Sequence, residues 1–170
     1  MTVFHVATIG ITVVAAAWDL KTRRIPNFLT FGAALAGLLA HTYSGGWAAG
    51  GWAVTGWLVG AAFFMPFFAL GGMGAGDVKL LAAIGAWLGP GPTVWVALFS
   101  LIAGGVMGLT VALAYGYLTQ AIANISWMFQ FWRQEGPKPV PEMTLATHHG
   151  PRLAYAVPVF AGLMVTLWLQ

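Results

Sequence analysis

The sequence predicts an all-α, polytopic membrane protein with about six transmembrane helices, and three observations predict it. Of its 170 residues, 59% are hydrophobic and only 6% are charged, with a mean hydropathy of +0.82. An ordinary soluble domain carries about 25% charged residues. The apolar residues gather into long stretches cut by Gly, Pro or one of the few charges, rather than alternating as in a half-buried strand. If six helices cross alternately, all seven Lys and Arg residues fall on one side of the membrane.

The stretches run over about 3–18, 28–43, 52–70, 78–89, 93–118 and 153–169, where a span needs ~17–25 residues. The second and fourth are short, so they borrow flanking residues or sit where the bilayer thins. The N-terminal Met1-Thr2-Val3-Phe4-His5 lacks the basic region of a cleaved signal peptide, and the first stretch is expected to remain as a span. No soluble domain fits beside the six, and no internal repeat is evident. The chain is read as one integral-membrane domain, residues 1–170.

Lys21, Arg23 and Arg24 follow the first stretch, Lys79 follows the turn after the third, and Arg133, Lys138 and Arg152 lie between the fifth and sixth. The opposite loops, 41–51 and 89–92, hold no Lys or Arg. Basic loops stay in the cytoplasm, so both termini are expected outside. The sequence pI of about 9.6 then reflects topology. The basic residues lack the clustering of a phosphate-tracking surface, and no nucleic-acid partner is expected. With no cysteine, disulfides, thiolate metal sites and a Cys nucleophile are excluded.

Gly56 and Gly60, Gly85 and Gly89, and Gly104 and Gly108 are each four apart, which sets both members on one helix face for close packing. Trp18, Trp47, Trp52, Trp132 and Trp168 lie near the ends of spans and read as interface anchors. Between Gln120 and Glu142 the chain either extends the fifth helix or lies along the membrane surface, until Pro137, Pro139 and Pro141 stop it. This loop is long enough to gate or dock a substrate, though it serves equally as a passive connector.

Asp19 and Asp77 are the only aspartates. Asp19 ends the first stretch, and Asp77 sits in Gly71-Gly72-Met73-Gly74-Ala75-Gly76-Asp77, opening the fourth. An ionisable group at membrane depth costs about 2.5–3.5 kcal/mol and marks function. Topology brings both to the same, cytoplasmic side. Two close carboxylates disfavour double ionisation and hold one shared proton, which is what water-activated peptide hydrolysis requires of an acid and a base. The glycines permit positive φ and remove side chains, so an extended substrate strand can approach the backbone.

Each residue also has a plainer reading. Asp77 can cap a helix. Asp19 can pair with Lys21 or Arg23 at the interface. Lys79 either marks topology by snorkelling or biases Asp77 towards ionisation. Ile25-Pro26-Asn27 reads as a turn and the start of the second helix. His148 and His149 have no matching Cys, Asp or Glu spacing, so no metal or other cofactor is expected.

Gly72-Met73-Gly74-Ala75-Gly76-Asp77-Val78-Lys79-Leu80-Leu81, continuing to Gly89, closely resembles the signature of bacterial type IV prepilin peptidases, which are Gly-x-Gly-Asp intramembrane aspartyl proteases. Asp19 with Arg24-Ile25-Pro26-Asn27 looks like that family's first catalytic block. Leu153-Ala154-Tyr155-Ala156-Val157-Pro158 is similar to a stretch of its last helix, with Ala154 where proline is usual. The resemblance implies an aspartic endopeptidase with Asp19 and Asp77 catalytic and Gly74, Gly76, Lys79, Pro26, Asn27, Tyr155 and Pro158 supporting. It implies cleavage of the basic leader from prepilins or pseudopilins at the cytoplasmic face of the bacterial inner membrane. The chain looks like the short form associated with tight-adherence pili, without the cysteine-bearing region that accompanies N-methylation. The rival reading is a small proton- or cation-coupled transporter using the same carboxylates; a structural membrane subunit leaves the Asp77 turn unexplained. The oligomeric state is not legible.

Overall fold

The computed structural model describes residues 2–140 and 153–170, so Arg152, His148 and His149 lie outside the described residues. The described chain forms six helices: α1 (Val3–Thr22), α2 (Asn27–Ala69), α3 (Ala75–Leu88), α4 (Pro90–Ala114), α5 (Leu118–Glu135) and α6 (Ala156–Trp168). The protein is a polytopic helical membrane protein. α1, α2 and α4 are each long and apolar enough to cross a membrane.

The six helices are not divided as the sequence reading divides them. The stretches expected at 28–43 and 52–70 belong to the single 43-residue element α2, interrupted where Gly45 (φ −139°, ψ 15°) and Gly46 (φ 68°, ψ −164°) leave helical geometry. A straight helix of that length would be about 64 Å long, twice the ~30 Å hydrocarbon core. The break folds it back. Gly37 on the first limb packs against Trp87 near the end of α3, while Gly56 and Gly60 on the second limb meet Gly85 and Leu81 in descending order. The two limbs therefore run in opposite directions along α3.

α3 is the central helix. Nine of its fourteen residues are buried, which suits an element apolar on nearly every side. Its crossing with the second limb of α2 is a backbone contact between Gly56 and Gly85, the close approach that small residues allow where no hydrophobic force drives helices together. At the far end the indole N–H of Trp87 donates to the Ala33 carbonyl at 2.8 Å. There the His41 ring lies 3.0 Å from the Trp87 carbonyl and stacks on Phe4.

The apolar run expected at 93–118 ends earlier than its composition suggests, because Gly116 (φ 71°) separates α4 from α5. α5 buries none of its residues. Polar side chains inside the bundle are satisfied locally: Thr8, Thr12, Thr93, Ser100 and Thr166 each donate to the carbonyl four residues back. No buried side-chain N or O atom among the described residues is without a partner.

Candidate active site

Asp19 is set by the end of α1. Arg23 adopts the left-handed conformation (φ 54°) and its N–H donates to the Asp19 carbonyl at 2.8 Å, closing the helix one turn past the carboxylate. The side chain points inward and is 5% exposed. Its Oδ2 accepts a 3.2 Å hydrogen bond from the backbone N–H of Ala156, the first residue of α6. The next residues of the α1–α2 connection carry Ile25 into the core, against Gly76 in the first turn of α3.

Asp77 lies in that first turn and is 9% exposed. Its Oδ2 accepts the Gly74 N–H at 3.2 Å, so the capping expected of an aspartate at this place is present. A Cβ on Gly74 would come 3.0 Å from this oxygen, and one on Gly76 would come 3.2 Å from Ile25 Cβ. These contacts give the glycines a different reason from the one expected. Gly74 (φ −78°) needs no special backbone freedom, and of the run 71–76 only Gly71 has positive φ. Gly74 makes room for the carboxylate, and Gly76 makes room for the α1–α2 connection.

Asp19 and Asp77 are both buried at the same end of the bundle, where α1 ends and α3 begins. Tyr155 stands immediately before α6. Its hydroxyl donates to the Ser100 carbonyl at 3.3 Å, and its ring meets the edge of Phe64 at 6.0 Å. Gly104 on α4 is the seat for that ring, since a Cβ there would lie 2.6 Å from Tyr155 Cε2. Gly104 and Gly108 thus receive Tyr155 and Leu153 from the α6 strand of chain.

Lys79 belongs to a different corner. Its Nζ donates to Asn27 Oδ1 at 2.9 Å and sits 5.3 Å from the Phe31 ring centre. Pro26 is the N-cap of α2, with its carbonyl accepting from Leu29 and Thr30. Pro158 is buried in the first turn of α6, where a missing N–H costs no intrahelical bond. No hydrogen bond joins Pro26, Asn27, Lys79 or Pro158 to either carboxylate among the described residues. The expected partners Lys21 and Arg23 make no ion pair with Asp19 within 4 Å. Among the described residues no group of three or more His, Cys, Asp or Glu is arranged to hold a metal.

The family model for the type IV leader peptidase family matches residues 6–109. The chain belongs to the type IV leader peptidase family. The matched stretch includes Asp19, Pro26, Asn27 and the whole turn from Gly74 to Lys79, and stops before Tyr155 and Pro158. Proteins named prepilin leader peptidase/N-methyltransferase from Burkholderia pseudomallei strains 1026b and K96243 are each 37% identical over 101 residues, covering 55% of this chain and 32% of theirs. The chain therefore spans about a third of the length of the curated relatives it matches. No solved structure gives a significant match.

Two functional contacts have no counterpart in the sequence reading. The Ala156 N–H is a backbone donor, which no residue identity advertises. Ser100 presents its carbonyl to Tyr155 while its hydroxyl is turned back on Val96. The Gly104–Gly108 spacing is the one signal that marked this helix face for close contact.

Proposed function

We propose that this chain is an intramembrane aspartyl endopeptidase that removes the basic leader from type IV prepilins or pseudopilins, with Asp19 and Asp77 as its catalytic pair. The whole chain acts as one membrane domain in this reading. The observation that carries it is the placement of the chain's only two aspartates, both buried at the same end of an apolar bundle, each accepting from a backbone N–H. Membership of the type IV leader peptidase family and the names of the relatives supply the substrate class.

In the reaction one carboxylate is ionised and the other protonated. The ionised member takes a proton from a water whose oxygen adds to the scissile carbonyl carbon, while the protonated member gives its proton to the carbonyl oxygen. Collapse of the tetrahedral intermediate re-forms the C=O bond and breaks C–N. One hydroxyl of the intermediate gives its proton to the ionised carboxylate as C=O re-forms, and the protonated carboxyl gives its proton to the leaving nitrogen, so the pair again shares one. The N–H groups of Gly74 and Ala156 hold the carboxylates without supplying a cation.

The reading places the pair at the cytoplasmic face of the bacterial inner membrane, with both termini outside, because Lys21, Arg23, Arg24 and Lys79 share the end of the bundle occupied by the aspartates. It is a reading of the short, tight-adherence type, with leader cleavage alone. The deciding test incubates the purified protein with a prepilin from the same cell and follows the leader by mass spectrometry. Cleavage at the leader boundary is expected; an intact prepilin, with proton flux in liposomes, would transfer the pair to the transporter reading.

A further inference from the structure

Two neighbouring cavities lie on the other side of α3 from Asp77. One, of about 450 Å³, has Ala75, Val78, Lys79 and Ala82 as its floor. These are positions i, i+3, i+4 and i+7 of one helix face. A second, of about 350 Å³, continues it towards Ala86. Phe31 and Trp57 line both. The two form one trough, walled by the first limb of α2 on one side and the second limb on the other. Lys79 and Thr30 line it at one end, where Asn27 accepts from the Lys79 ammonium.

Three observations identify an occupant. The floor from Ala75 to Ala86 is about 16 Å long at 1.5 Å per residue, matching the ~15 Å of hydrocarbon in one leaflet. The volume is too small for a helix: along that floor it would make about three turns, each filling about 420 Å³ at a 10 Å diameter and 5.4 Å pitch, more than the two cavities hold together. A flexible chain of methylenes fits it. Among the described residues the Lys79 ammonium at the mouth has no carboxylate within 4 Å and one hydrogen bond, to Asn27 Oδ1, and the Asn27 NH₂ has no acceptor. A phosphate complements both.

We propose that this trough is a lipid site that takes one acyl chain of an anionic phospholipid, with the phosphate held by Lys79 and Asn27. The site lies away from Asp77, so it stands apart from the peptidase reading and survives its failure. Lipid would fill the space between the limbs of α2 and brace the helix that carries Asp77.

Native mass spectrometry of the protein released from nanodiscs of equal phosphatidylglycerol and phosphatidylcholine tests it. One phosphatidylglycerol should be retained about fivefold over phosphatidylcholine, the preference expected of one lysine at the headgroup level. Lys79→Gln should abolish the preference while still retaining lipid, and Ala82→Phe, which fills the floor, should lose both lipids. Ala61→Leu serves where Ala82→Phe fails to give a monodisperse helical protein. Equal retention of the two lipids by the parent overturns the proposal. So does a preference that survives Lys79→Gln, or displacement of the lipid by an added apolar helical peptide, which would make the trough a peptide groove.

Discussion

Asp77 and Lys79 stand two positions apart on α3 and face opposite ways: the carboxylate accepts from Gly74 at the end near Asp19, and the ammonium donates to Asn27 across the helix. Two positions along a helix turn a side chain by about 200°. The cation therefore forms no ion pair with the carboxylate. Of the two readings of Lys79, this geometry supports the one in which it addresses the membrane.

Asp19→Asn and Asp77→Asn should each lower prepilin cleavage by at least about a hundredfold, since the step needs a group that exchanges a proton. The fold should persist, because Asn Oδ1 still accepts from Ala156 or Gly74. The double variant should be little worse than either single one, as expected of groups that act as a unit. A single variant within a few-fold of the parent in the same assay would remove that carboxylate from the mechanism.

Leader cleavage should keep its rate in EDTA. Activity lost to the chelator and restored by a divalent ion would replace the paired-carboxylate mechanism with a metal-assisted one.

Gly56→Ala should destabilise the detergent-solubilised protein by about 1–3 kcal/mol or more, because its new Cβ meets the Gly85 carbonyl oxygen and both partners are backbone. Gly10→Ala, with nothing within 4 Å, should be neutral or stabilise by up to about 1 kcal/mol. Denaturation midpoints of the two variants compare them directly; equal effects would refute the close crossing.

Tyr155→Phe removes only the bond to the Ser100 carbonyl and should cost about 0.5–1.5 kcal/mol. Tyr155→Ala also empties the seat at Gly104 and the contact with Phe64, and should cost about 3–5 kcal/mol. The ordering, read from thermal unfolding, checks whether the ring or the hydroxyl anchors the start of α6.

Single cysteines in a chain that has none fix the topology. Ser44→Cys, beside the reversal of α2, should label from outside intact cells, and Lys138→Cys should not. Labelling of position 138 from outside would invert the orientation.

The sequence made some of this architecture plain and hid the rest for physical reasons. The gap at 41–51 between two apolar stretches announces a reversal, and the structure turns within it, at Gly45 and Gly46. Asp77 among glycines announces a special turn, although what the glycines accommodate is visible only in three dimensions: Gly76 faces Ile25, whose approach depends on how α1 ends. The boundary at Gly116 was hidden because glycine is common inside membrane helices, so one more in the run 93–118 carried no signal. The outward turn of Lys79 was within reach, since helical periodicity alone separates it from Asp77. The bond from Ala156 was not, because every residue but proline offers the same N–H.

That last bond has a consequence in time. Asp19 is translated and inserted before its donor, which follows 137 positions later. At about 5–20 residues per second the ribosome needs roughly 7–27 s to reach it. In the later part of that interval the nascent chain carries both aspartates, yet Asp19 lacks the amide that holds it. The hold on Asp19 is completed only as α6 enters, after α1 to α5 have been made.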